Sequence, residues 1–215
     1  MRPKPQAGAS SHGAVRDGAL SSSWHARPAE LVARELLGAI MVSTVGDVLT
    51  AGRIVETEAY TGPHDDASHA AARIGRTSRN AAMFGEPGTA YVYRIYGMHW
   101  CLNVVTDAVD FPAAVLIRAV EPVRGIDHMR ARRTAGQKSL TDAMLTAGPG
   151  RLAAALGITG DLNAHPLDRA PLWVEPGDDV ADHDVACGPR IGISMAVDWP
   201  LRFCVRGSAF LSRTV

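Results

Sequence analysis

The chain has 215 residues, 47% of them hydrophobic, and its 22 basic residues are balanced by 22 acidic ones. That length suits one large domain, the apolar content excludes wholesale disorder, and a net charge of zero counts against a protein held on nucleic acid by its overall charge. The cysteines, Cys101, Cys187 and Cys204, form neither a CxxC pair nor a disulfide framework, so reduced thiols are expected. No run of about 18 apolar residues and no apolar leader core is visible, so neither a membrane span nor a secretion signal is expected.

In chain order, residues 1–23 are rich in Gly, Ala, Ser and Pro without a period, which predicts a disordered tail, with the folded domain over 24–215. "PAELVARELLGAIMVS" carries Leu31, Val32, Leu36 and Leu37 at helical spacing and then Gly38, where a helix would stop. "IMVSTVGDVLTAGRIVETEAY" reads as a hairpin around Gly46-Asp47, and "SRNAAMF" as a short helical piece. "TAYVYRIYGMHWCLNVVT" predicts a second hairpin with its turn at "YGM", and "AAVLIRAV" a buried strand. "PVRGIDHMRARR" and "GPGRLAAALGI" predict helices, and "PLRFCVRGSAFLS" a closing strand. Hairpin-linked strands with helices between groups define an α+β class.

Glu56 and Glu58 lie two apart on a strand, hence on one face, together with Tyr60. Paired carboxylates raise each other's pKa, as acid–base chemistry requires; the alternative is a half-exposed strand with its glutamates in water. His64, Asp65, Asp66 and His69 are metal-ligand types, but their spacing matches no zinc signature, so a solvated loop is the expectation. Three of the four tyrosines, Tyr91, Tyr93 and Tyr96, crowd "YVYRIYGMHW" with Trp100. Core packing would explain most of them. Tyr96 and Met98 at a turn instead suggest an apolar wedge that prises bases apart, beside aromatic faces that receive one. The basic run 124–133 offers Arg130, Arg132 and Arg133 for DNA phosphates.

The blocks "GRIVETEAYTGPHDDASHA", "RTSRNAAMFGEPGTAYVYRIYGMHWCLNVVT", "AAVLIRAVEP", "LTAGPGRLAAALGI" and "PLRFCVRGS" together resemble, in order, those of the alkyladenine (3-methyladenine) DNA glycosylase family, over nearly all of the chain after about residue 25. The resemblance implies a single domain with a curved antiparallel sheet and a protruding, DNA-intercalating hairpin. It implies excision of damaged purines from double-stranded DNA by a monomer, without metal or cofactor. It implies Glu58 as general base with Arg118 beside it, a base pocket of Tyr60, His69, Tyr93 and Asn103, and Tyr96 filling the gap left by the flipped nucleotide. No lysine lies in these motifs, which favours a monofunctional enzyme over one that forms a Schiff base. Such an enzyme would act in the cytoplasm and nucleoid of a bacterium or in a eukaryotic nucleus. A glycoside hydrolase, a damage-recognition module without turnover and a metal-dependent nuclease are the competing readings.

Overall fold

The computed structural model describes residues 14–134 and 140–214. Its elements, in order, are α1 (Ser22–His25), α2 (Ala29–Glu35), β1 (Ile40–Ser43), β2 (Thr50–Tyr60), β3 (Ala90–Ile95), β4 (His99–Thr106), β5 (Ala113–Arg124), α3 (Ile126–Arg133), α4 (Asp142–Thr146), α5 (Pro149–Leu156), β6 (Asp168–Arg169), β7 (Leu172–Glu175), β8 (Val185–Gly188) and β9 (Arg202–Val205). The strands pair antiparallel in the order β3-β4-β5-β2-β1-β7-β6, with β9 joining β2 and β8 joining β9. The fold is therefore α+β with one curled antiparallel sheet, as expected. Among the described residues no helix is long and apolar enough to cross a membrane.

The expected local punctuation is present. Helix α2 ends before Gly38, which has φ +89° and whose absent Cβ would meet Asp178 O at 2.0 Å. Only glycine satisfies both conditions there. The first hairpin joins β1 and β2 across Val45–Asp47. The second joins β3 and β4 with Ile95 opposite His99.

Strand β2 is the hub. Its start pairs with β1, its end with β9, and its other edge with β5 along most of its length. The β2–β5 register slips twice within three residues: Ile54 faces Val120, Glu56 faces Ala119, and Thr57 faces Ile117. Val55 is thus the extra residue on β2 and Arg118 the extra residue on β5. Bulges bend a strand and re-aim side chains; here they bend the sheet and put Arg118 beside Glu56 and Glu58.

Helices α2 and α5 cover the sheet with Val32, Leu152 and Leu156, each fully buried in one core with Met41, Ile54 and Ile117. Each such side chain contributes about 1.5–3 kcal/mol on leaving water. Thr57 donates from the same face to Ala33 O at 2.7 Å, and residues 54–59 of β2 are buried without a break, on both faces.

Three expectations change. The tail predicted over 1–23 lies outside the described residues up to 13. Beyond that the chain is docked: Val15 bridges Arg169, Leu20 N donates to Val174 O at 2.8 Å, and Arg16 stacks on Trp173 at 4.9 Å. Composition misses this because the sheet, not the segment, supplies the partners. Second, α4 and strands β6 to β8 are present although no sequence period predicts them, because each is only two to five residues long. Third, the closing strand spans only Arg202–Val205; the residues after it turn back across the site.

Candidate active site

Register brings the site together. Tyr91 faces Asn103 across β3–β4, Asn103 faces Leu116 across β4–β5, Leu116 faces Glu58 across β5–β2, and Glu58 faces Arg202 across β2–β9. Residues opposite one another share a sheet face, so five strands contribute to one row. Tyr93 and Cys101 form the next pair along.

Glu56 and Glu58 are both fully buried, which removes the half-exposed strand. Glu56 is saturated: Arg118 Nε at 3.0 Å, Arg202 Nε at 2.8 Å, and Ser212 through its N–H at 2.6 Å and its hydroxyl at 2.7 Å. Glu58 is held by fewer donors. Its Oε1 accepts from Ile191 N–H at 2.7 Å and forms an ion pair with Arg118 Nη1 at 3.2 Å, and its Oε2 accepts from the Tyr60 hydroxyl at 3.0 Å. Burial pushes the Glu58 carboxyl above its ordinary value, with Arg118, Ile191 N–H and Tyr60 pulling against it and Glu56 adding to it. Burial likewise holds the Tyr60 phenol well above its usual range, so Tyr60 stays a donor.

Above this floor lies a cavity of about 390 Å³, lined by Tyr60, His69, Tyr93, Asn103, Arg118 and Tyr96 among others. Glu58 is not on its surface; it sits directly beneath Tyr60, Arg118 and Ile191, which are. His69 stands edge-on to Tyr93 with centroids 4.5 Å apart, and its Nδ1 pairs with the Tyr91 hydroxyl at 2.9 Å. Burial, then the Arg79 charge, lowers its pKa, so the ring is neutral at pH 7. Asn103 Nδ2 donates to Tyr91 O at 3.1 Å, which fixes its amide. Met195 and Ile193, from the loop after β8, close the opposite wall.

At the hairpin turn, Tyr96 and Gly97 take φ 50° and 68°, and Met98 N donates to Ile95 O at 3.1 Å. Positive φ at both central residues is the type I′ requirement. Tyr96 is 86% exposed and Met98 70%, so neither belongs to the core.

The loop cluster does not gather as a metal site. Asp65 is buried and paired with Arg190, His64 contacts Thr61, and His69 turns to Tyr91. Among the described residues, no three His, Cys, Asp or Glu side chains come together as ligands. The arginines of α3 lie apart from the cavity lining. Arg130 bonds Asp142 and Leu140 O, while Arg132 donates to Val45 O at 2.7 Å and Ala155 O at 3.1 Å. Arg133 lies close enough to Arg151 of α5 for that charge to lower its pKa, after burial. The sequence reading missed Arg190, Asp65 as an ion-pair partner, Ile191, Arg202 and Ser212. No local pattern marks them, because their contacts join segments far apart in the chain.

The family model described as methylpurine-DNA glycosylase (MPG) matches residues 23–209. Among curated proteins, a "Putative 3-methyladenine DNA glycosylase" of Myxococcus xanthus is 49% identical over 197 residues, covering 90% of this chain and 93% of its own. Proteins of the same name from Nitrosospira multiformis and Methanoculleus marisnigri are 50% and 45% identical. They cover 85% and 90% of this chain, and 88% and 98% of their own lengths.

Proposed function

The chain belongs to the methylpurine-DNA glycosylase family, which makes it a DNA-repair glycosylase, and from that premise we propose that it flips alkylated or deaminated purines out of duplex DNA and hydrolyses their N-glycosidic bond. The observation that carries this reading is Glu58: a buried carboxylate, held by two hydrogen bonds and the Arg118 ion pair, directly under an aromatic-walled cavity.

A carboxylate offers about four lone-pair sites. Hydrogen bonds from Ile191 N–H and the Tyr60 hydroxyl take one site on each oxygen, which leaves Glu58 an acceptor site for a water. Glu58 removes the proton of that water as its oxygen attacks C1′, and the purine departs with the electrons of the glycosidic bond. Arg118 is shared between Glu56 and Glu58; it keeps the base ionised and oriented while lowering its basicity. Tyr60, Tyr93 and His69 sandwich the extruded base. A ring made cationic by N3 or N7 methylation gains roughly 0.5–2 kcal/mol from each electron-rich face. Asn103, locked by Tyr91 O, excludes normal guanine by meeting its exocyclic amine. The protein's own residues supply every group in this scheme. The enzyme acts as a monofunctional monomer in the compartment that holds the genome.

The test is base release, read by mass spectrometry, from duplexes bearing 3-methyladenine, 7-methylguanine, hypoxanthine or ethenoadenine. Glu58→Gln should lose about 10²–10⁴-fold in excision while still binding the lesion duplex. An active Glu58→Gln alongside an inactive Glu56→Gln would refute the assignment.

A further inference from the structure

The cavity has two walls made of irregular chain. One is the loop after β2, which supplies Asp66, Ala67 and His69; the other is the segment after β8, which supplies Ile191 to Met195. The second segment has no helix or strand between Gly188 and Arg202, and most of it is exposed. At its root, however, Arg190 is buried together with Asp65 of the first loop, both side chains at 0% exposure. Arg190 Nη2 donates to Asp65 Oδ1 at 2.8 Å, Nη1 to the other carboxylate oxygen, and Nη1 also to Ala59 O at 2.9 Å. Asp65 accepts in addition from Thr61 N–H at 3.2 Å and Ala67 N–H at 3.0 Å, so its own loop is cinched around it. The guanidinium lies over the Tyr60 ring at 4.7 Å. The next residue, Ile191, presents the N–H that Glu58 accepts at 2.7 Å.

We propose that Arg190 and Asp65 form a positioning clasp for the glycosylase reaction: by tying both cavity walls to the end of β2, they set Ile191 N–H and Tyr60 on Glu58. This rests on Glu58 being the base. Such a bidentate pair has the geometric fidelity the task needs, since an arginine fork meets a carboxylate in one plane. Neither residue touches the reacting atoms; both act through Glu58. The remaining charged and titratable groups facing Glu58 are Arg118 from β5, Glu56 and Tyr60 from its own strand, Tyr93 and Cys101 from the hairpin, and Arg202 and Cys204 from β9. Of these, Tyr60 lies directly against Arg190.

Arg190→Lys keeps a charge but cannot span both oxygens of Asp65 and Ala59 O at once. Its single-turnover rate on a saturating hypoxanthine duplex should fall by about tenfold or more, as small misplacements do. Without Ile191 N–H, Glu58 holds its proton more tightly, so the acid limb of the pH–rate profile should move to higher pH. In a Glu58→Gln background the same substitution should change the residual rate by less than about twofold, because its effect runs through Glu58. An equal loss in both backgrounds, or an unmoved acid limb, overturns the clasp. If Arg190→Lys fails to give a cooperative melt, Ile191→Pro deletes the N–H while leaving the ion pair; the same shift supports the proposal and an unmoved limb refutes it. Failure of the underlying reading is separable: there, wild type releases no purine, or Glu58→Gln matches wild type.

Discussion

Protonating Glu58 has consequences for both stability and rate. Its folded pKa is raised, chiefly by burial, so the folded chain holds this proton more tightly than the unfolded one. The stabilisation is complete below the unfolded value of about 4.3 and is lost as pH rises through the folded value. Above the folded value the ionised Glu58 is therefore a burden the fold carries for chemistry. Glu58→Gln should consequently melt at or above wild type near neutral pH, with the difference vanishing towards about pH 4, as calorimetry would show. The same proton should set the acid limb of kcat/KM, which reports the free enzyme, above the ordinary carboxylate range of about 4.3. A limb at or below that range, or a Glu58→Gln protein destabilised at pH 7, contradicts this account. Glu56 differs because it is saturated by two buried arginines and Ser212. Its charge is compensated where that of Glu58 is left partly available.

At the level of the element, the hairpin β3–β4 serves two ends. Its body delivers Tyr91, Tyr93 and Asn103 to the sheet face, and its turn holds Tyr96 in a conformation that bulky residues rarely adopt. Left-handed backbone at a non-glycine residue costs of order 1–3 kcal/mol, and the exposed ring recovers none of it by packing. That combination points to a use outside the folded chain, here a wedge in the space vacated by the flipped nucleotide. Tyr96→Ala should melt within about 0.5 kcal/mol of wild type, since exposed substitutions seldom do more. It should excise paired hypoxanthine slowly and recover partly on a mismatched lesion, where less stacking is lost. A much lower melting temperature with normal excision by the folded fraction would show that Tyr96 is a packing residue.

Across the whole molecule, zero net charge leaves local arginine clusters as the proposed hold on DNA phosphates. Arg94 is exposed on the hairpin and stacks on Trp100 at 4.7 Å, and Arg73 lines the cavity. Of the α3 arginines, Arg130 and Arg132 bond acceptors of the chain itself. Binding to undamaged duplex, followed by anisotropy from about 50 to 300 mM salt, should weaken steeply, each phosphate contact adding a slope of about 0.9 in log K against log salt. Arg94→Ala should lower that slope by about one contact. Arg132→Ala should leave the slope alone and reduce stability, through the loss of its bonds to Val45 O and Ala155 O. A slope unchanged by Arg94→Ala would remove that residue from the interface.

What the sequence determined by itself is what short stretches of chain encode. Gly38 stops a helix, Gly46-Asp47 and Tyr96-Gly97 turn hairpins, and a period of two puts Glu56, Glu58 and Tyr60 together. The block pattern is specific enough to mark the family. Tertiary structure alone decided which carboxylate is saturated and which is partly free. Arg190 reaches Asp65 across 125 residues and Ser212 reaches Glu56 across 156. The paired bulges that set Arg118 between the glutamates exist only once β2 and β5 are in register. The docking of residues 14–23 on β6 and β7 has the same origin. Hydrogen bonds and ion pairs between distant segments leave no periodic trace in either segment. Their geometry, and with it the chemistry of Glu58, exists only in the folded chain.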